Sequence, residues 1–231
     1  MFLRANNVLD ADLSAELQKF FNDVIKNHLH EKEVHFSRAG RYCFENAEEG
    51  DSFFRKILQS LAKKVDLFSL YEEPVVHHSF LLAKMPGGVA TRLHQDRPYW
   101  ESFEDAPASM ATAWFSLGNI HEGNGCLLLN TDNETQDISQ FNTQTLLYEH
   151  FDDSYTAQQG ALTISEQQAT ELQKALSTVP VGIGDLVFFD AYEPHCAAKN
   201  ASPDPRLAFK IVFGEKTKLK QFYKPVKELL A

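Results

Sequence analysis

Thr91-Arg92-Leu93-His94-Gln95-Asp96-Arg97-Pro98-Tyr99-Trp100 is the stretch on which the reading of this chain turns. Side chains alternate faces along a strand, so His94 and Asp96 are expected to point one way and Gln95 the other. An imidazole nitrogen and a carboxylate oxygen on one face are two ligands for a borderline divalent metal, and a facial triad of this type needs one further His. His195 is the candidate, at the end of Gly184-Asp185-Leu186-Val187-Phe188-Phe189-Asp190-Ala191-Tyr192-Glu193-Pro194-His195, where an apolar strand would deliver it from a neighbouring position. On this reading His94, Asp96 and His195 are both the metal ligands and the catalytic centre.

Arg206 follows His195 by eleven residues, with Asn200-Ala201-Ser202-Pro203-Asp204-Pro205 between them as turn material. Paired as a hairpin about Asn200-Ala201, His195 and Arg206 would lie nearly opposite each other. A guanidinium there suits the far carboxylate of a dicarboxylic keto acid chelated at the metal. His77, His78, His121 and His150 lack such a setting and read as ordinary histidines.

Around this nucleus the chain reads as strands preceded by helices. Apolar residues at spacings of three and four predict helices over Asp12–Leu29 (Leu13, Leu17, Phe20, Phe21, Val24, Ile25) and Asp51–Phe68 (Phe54, Ile57, Leu58, Leu61, Val65). A third is expected over Ser165–Leu176, where Ser165 and Gln168 have capping-box spacing. Strands are expected at Val75–Lys84, Val89–Leu93, Met110–Leu117, Cys126–Leu129, Leu186–Asp190 and Arg206–Phe213. Turn signals at Pro86-Gly87-Gly88 and Gly123-Asn124-Gly125 punctuate them. The fold class that follows is mainly β with flanking helices: a double-stranded β-helix, or jelly-roll, barrel with N-terminal helices packed outside. One domain is expected over 1–231, with 1–74 mainly helical and 131–178 an insertion fit to act as a lid.

The bulk numbers agree. A net charge of −10, from 32 acidic residues against 22 Lys and Arg, excludes a basic nucleic-acid-binding surface. Cys43, Cys126 and Cys196 are odd in number, far apart and without a CxxC pair, so reduced buried thiols are expected rather than disulfides or a zinc ribbon. No run approaches the ~20 apolar residues of a membrane span, and Met1–Leu13 lacks a signal-peptide core. The expected location is the cytoplasm, with no membrane partner.

From about Phe80 to Gly214 the chain resembles the phytanoyl-CoA dioxygenase family. The resemblance rests on Lys84-Met85-Pro86-Gly87, His94-Gln95-Asp96 followed by Tyr99-Trp100, Ala113-Trp114, Asn124-Gly125-Cys126, Gly184-Asp185, His195 and Arg206. It implies a dioxygenase of hydroxylase type that uses Fe(II), 2-oxoglutarate as co-substrate and O2. It also implies iron at His94, Asp96 and His195, the C5 carboxylate of 2-oxoglutarate at Arg206, and Trp114 and Phe80 near the co-substrate. Trp100 looks like a wall of the substrate pocket, beside Tyr99.

The chain departs from the family at Ala197, where a small hydroxyl residue is usual, and at Asn130-Thr131-Asp132-Asn133, where Pro-Gly-Ser-His is usual. Asp96 is retained, which disfavours the halogenase variant. Lys210 shares the Arg206 face if that strand is regular, and Arg97 flanks the metal motif, so a small, acidic metabolite is the expected substrate. Desaturation, epimerisation and ring formation stay open beside hydroxylation. Two other classes remain: a non-oxidative cupin-like isomerase or lyase, with no use for Arg206, and a catalytically idle jelly-roll binding protein.

Overall fold

The computed structural model describes residues 2–28, 48–99, 109–132, 143–146, 161–216 and 224–230. Two sheets face each other. The larger has the order β1-β9-β4-β11-β2-β12, built from β1 (Phe2–Ala5), β2 (Pro74–Lys84), β4 (Met110–Ser116), β9 (Leu186–Asp190), β11 (Arg206–Glu215) and β12 (Lys224–Pro225). The smaller has the order β3-β10-β5-β8, from β3 (Thr91–His94), β5 (Leu127–Leu129), β8 (Ser177–Val179) and β10 (His195–Ala197). A two-stranded sheet of its own, β6 (Thr143–Leu146) and β7 (Ala161–Ile164), packs through Ile164 against Leu93 of β3 and Cys196 of β10. Every pairing is antiparallel. This is the jelly-roll architecture expected from the strand pattern.

The N-terminal helices and the last helix cover the outer face of the larger sheet. Helix α1 (Ala11–His28) starts at Asp10, whose carboxylate accepts from the Leu13 N–H at 2.8 Å. Its buried stripe of Leu13, Leu17, Phe21 and Ile25 joins Leu207, Phe209, Ile211 and Phe213 of β11 in one core, with the Phe21 and Phe209 rings 5.9 Å apart. Helix α2 (Glu48–Ala62) contributes Phe54, Ile57, Leu58 and Leu61 to the same core. The expected helix over Asp51–Phe68 is thus two helices. Asp66 restarts the chain as α3 (Leu67–Leu70) by accepting from the Phe68 and Ser69 N–H groups, so it acts as a cap rather than an interior residue.

The predicted helix over Ser165–Leu176 also divides, into α4 (Glu166–Leu172) and a 3-10 turn at Gln173–Ala175. The Ser165 hydroxyl bonds the Gln168 side chain at 2.9 Å and makes no bond to a helix N–H, so the capping-box spacing is present without the box. Ala169, Leu172 and Leu176 pack with Leu93, Ile164 and Cys196. This part of 131–178 therefore covers the smaller sheet, while 133–142 and 147–160 lie outside the described residues. A terminal helix, α5 (Val226–Leu230), follows β12.

Gly184 ties the N-terminal segment to the sheet. Its φ is +79°, a region that disfavours a Cβ, and a Cβ there would come within 2.3 Å of the Leu9 carbonyl oxygen. Its own carbonyl accepts from the Val8 and Leu9 N–H groups, and the Asp185 carboxylate accepts from Asn7 and Gly182. The Gly-Asp pair is a joint that fixes where β9 begins.

Candidate metal centre

Strand β3 ends at His94, whose backbone partner across the smaller sheet is His195, the first residue of β10. The two imidazole rings come to 4.2 Å between centroids. Asp96 does not arrive by the strand alternation that the sequence predicts, because the strand has ended at His94. It sits in the bend before the 3-10 turn Arg97–Tyr99, which is anchored by the Arg97 N–H on the Ala191 carbonyl. One ligand atom from each of His94, Asp96 and His195 lies within 4.8 Å of the others. Asp96 Oδ1 and His195 Nε2 are 3.9 Å apart.

Outer contacts orient all three. His94 Nδ1 meets the Arg92 carbonyl at 2.8 Å and His195 Nδ1 meets the Glu193 carbonyl at 2.9 Å. With Nδ1 as donor in each ring, both Nε2 lone pairs are left for a cation. The Thr112 hydroxyl donates to Asp96 Oδ2 at 2.8 Å, which leaves Oδ1 facing His195. Burial and the mutual repulsion of the two rings bring His94 down to about 3, and burial also lowers His195, so both rings are neutral near pH 7. Burial alone would raise Asp96, but Lys210, His195 and His94 hold it well below the usual carboxylate range. Two neutral imidazoles and an ionised carboxylate match the charge and donor types of a divalent iron-type site.

Arg206 is reached by a different route from the one expected. β10 pairs with β3 and β5, whereas β11 pairs with β2 and β4, so His195 and Arg206 belong to opposite sheets and not to one hairpin. Both edges of β10 are already occupied, and the chain between crosses from one sheet to the other. Asn200 organises the crossing: its amide donates to the Lys84 and Asp204 carbonyls, while its Oδ1 accepts from Ser202. The outcome still places Arg206 inside, 7% exposed, with its guanidinium 5.7 Å above the Trp114 ring. Among the described residues Arg206 Nε and Nη1 are buried with no hydrogen-bond partner, and burial lowers the pKa of the guanidinium to about 10. Gly125, at φ +96°, leaves room beside them; a Cβ there would stand 3.6 Å from Arg206 Nε.

The remaining candidates fall at different depths. Lys210, in register with Trp114 and Phe80, turns inward, and its ammonium lies 2.6 Å from both Asp96 oxygens. Arg97 is buried against Tyr192, with Nε 3.1 Å from the Tyr192 hydroxyl, and Nη1 3.7 Å from Met110 Sδ. Trp114 is buried in the inter-sheet core with Val187, Phe189 and Ala208. The backbone of Phe80 is in β2 and that of Tyr99 in the 3-10 turn, while their side chains and all of Trp100 lie outside the described residues. His77 is buried with Nε2 3.2 Å from the Glu215 carbonyl, and His121 is exposed. The His78 side chain, His150 and Cys43 are outside the described residues, whereas Cys126 and Cys196 are free and buried.

Two residues of this interior were not anticipated as participants. Thr112 shares the inward face of β4 with Trp114, a period-two relation already visible in Thr112-Ala113-Trp114. Lys84, opposite Arg206 in the β2–β11 register, is 3% exposed, and its ammonium donates to the Ala198 carbonyl at 2.7 Å. Burial and the neighbouring Arg206 bring Lys84 down to about 7.

A 144-residue stretch is 28% identical to 2-aminoethylphosphonate dioxygenase of Uncultured bacterium HF130_AEPn_1, covering 62% of this chain and 47% of that one. The chain thus spans about half the length of the curated relative it matches. Among solved structures, the α-ketoglutarate-dependent carbocyclase SnoK from nogalamycin biosynthesis superposes with a TM-score of 0.60 at 18% identity, over 93% of this chain and 79% of its own. EctD from S. alaskensis, with 2-oxoglutarate and 5-hydroxyectoine, superposes at 0.58 and 15% identity, over 93% of this chain and 72% of its own. At such identities these two likenesses bear on the fold. The family named phytanoyl-CoA dioxygenase (PhyH) matches residues 3–208, nearly the whole chain, and this protein belongs to it.

Proposed function

We propose that this chain is a single jelly-roll domain that works as an Fe(II)- and 2-oxoglutarate-dependent dioxygenase, with iron held by His94, Asp96 and His195. The observation that carries the reading is the buried Arg206. Two of its nitrogens have no partner among the described residues, and it shares the space between the sheets with a His-Asp-His cluster. A buried guanidinium left unpaired is costly, and a dicarboxylate chelated at the metal would supply the missing anion. A non-oxidative metalloenzyme would have the cluster but no use for that cation.

Iron with 2-oxoglutarate would supply the power to turn O2 against a C–H bond, giving succinate and CO2 as co-products. The protein's own part is positional. Nδ1 contacts to the Arg92 and Glu193 carbonyls aim His94 and His195, and Thr112 holds the second oxygen of Asp96. Arg206 grips the distal carboxylate of the co-substrate, with the Trp114 ring 5.7 Å from the guanidinium and Phe80 opposite Lys210 in the β2–β11 register. The apolar lining from Trp114, Val187, Phe189 and Ala208 keeps water away from the centre.

The substrate in this reading is a small metabolite with an acidic group, met by Lys210 and bounded by Tyr99, Trp100 and Arg97. Support comes from an inward lysine at the metal cluster and from a relative whose name gives a phosphonate as its substrate. The test is anaerobic addition of Fe(II) and 2-oxoglutarate to metal-free protein. A weak visible band near ~500 nm, absent in His94→Ala and weakened in Arg206→Ala, is the expected outcome. A wild-type protein that binds Fe(II) but never shows the band with 2-oxoglutarate would refute the reading.

A further inference from the structure

The contact that an oxygenase has no evident need for is the one between Lys210 and Asp96. The ammonium lies 2.6 Å from each carboxylate oxygen, and both side chains are largely buried. It therefore engages Oδ1, the oxygen turned toward His195, as well as Oδ2, which already has the Thr112 hydroxyl. An outer-shell residue that merely orients a ligating carboxylate would use Oδ2 alone, as Thr112 does. A cation astride both oxygens instead takes up the electron density that a metal ion at this cluster would draw on. It would also stand next to that ion, and like charges at such range in a poorly screened interior repel strongly.

We propose that Lys210 and the metal ion compete for Asp96, and that metal loading releases the Lys210 ammonium to bind an oxyanion of the substrate. The proposal rests on the reading that Asp96 ligates iron. A buried ammonium needs an anionic partner throughout. Without metal that partner is Asp96; with metal bound, an acidic group on the substrate takes its place. The long, unbranched lysine stem, rooted on β11 opposite Trp114, can pivot between the two without moving the strand. Binding is then ordered, the metal first and the oxyanion second. An oxyanion arriving early finds the cation already paired.

The test compares wild type with Lys210→Met and Lys210→Gln in the full chain, stripped of metal and titrated calorimetrically with Mn(II) as a redox-inert probe. Removal of the competing cation is expected to tighten Mn(II) binding about tenfold in either variant. Unchanged or weaker Mn(II) binding would overturn the proposal and leave Lys210 as a support for Asp96. Methylphosphonate is then titrated into each protein with 2-oxoglutarate present. Binding to Mn(II)-loaded wild type, lost in both variants and absent from metal-free wild type, is expected. Binding that persists in the variants, or that needs no metal, contradicts it. His94→Ala separates the two levels. Mn(II) binding untouched by His94→Ala would remove the oxygenase reading along with the exchange. Mn(II) binding abolished by His94→Ala but indifferent to Lys210 would remove the exchange alone.

Discussion

The two faces of β11 are equally buried and built for opposite purposes. Outward, Leu207, Phe209 and Ile211 meet α1 and α2 in an all-apolar core. Inward, Arg206 and Lys210 alternate with Ala208, so two long cations stand within a strand whose every residue but Lys210 and Glu215 is buried. The outward face gains free energy from burial; the inward face loses it unless anions neutralise the charges. For Lys210 the anion is Asp96, whereas Arg206 Nε and Nη1 have no partner among the described residues. Burial is thus common to both faces, and it is the charges left to be met that single out the face to which the proposed chemistry is assigned.

The sharpest way to break this contrast is from the outside. Phe209→Ala, at a fully buried ring stacked near Phe21, is expected to cost ~3–5 kcal/mol of stability in a denaturant melt. The metal and co-substrate affinities of the molecules that remain folded should stay the same. From the inside, Arg206→Ala should leave the melt little changed while weakening 2-oxoglutarate by about two decades in the metal-loaded protein, the loss expected of a charge-assisted bidentate contact. A large stability loss from Arg206→Ala, with 2-oxoglutarate affinity intact, would make the inner face structural after all.

Thr112→Val tests orientation alone. The side chain keeps its shape and loses its bond to Asp96 Oδ2, so metal affinity should fall about tenfold with no change in fold. A separate test lies in pH dependence. Lys84 is brought from its ordinary 10.5 to about 7 by burial and Arg206, so its folded value lies below its unfolded one. Its contribution to stability is fully present above the unfolded value and is lost as pH falls through the folded one. Stability should therefore decline from about pH 10.5 to about pH 7, and Lys84→Met should flatten that slope in melts across the window. An unaltered slope would mean that Lys84 is charged and satisfied where it lies.

Much of the interior was legible because period two survives folding. Thr112-Ala113-Trp114 and Arg206-Leu207-Ala208 assign faces that the register then confirms. Where the alternation was carried too far, it misled. Asp96 was expected on a strand face, yet β3 stops at His94 and a bend delivers the carboxylate. Asp66 was absorbed into a helix because the apolar spacing runs through it, although its carboxylate caps a new one. Short elements such as β1, β8 and β12 carry too few residues to show a period at all, and partners alone define them.

The sequence by itself determined the chemical inventory and its rough addresses: His94, Asp96 and His195 as a donor set, Arg206 as the cation that follows, and strands dense enough for a jelly roll. Residue type and local period are intrinsic to the chain, so they are written in it. Only the tertiary structure decided that His195 and Arg206 stand on opposing sheets, that Thr112 holds the back of Asp96, and that Lys210 straddles both of its oxygens. These are relations between residues from 11 to 114 positions apart in the chain. Which edges of β10 are already paired and which side chains then meet across the interior are settled by strand pairing and packing, quantities that no local pattern encodes.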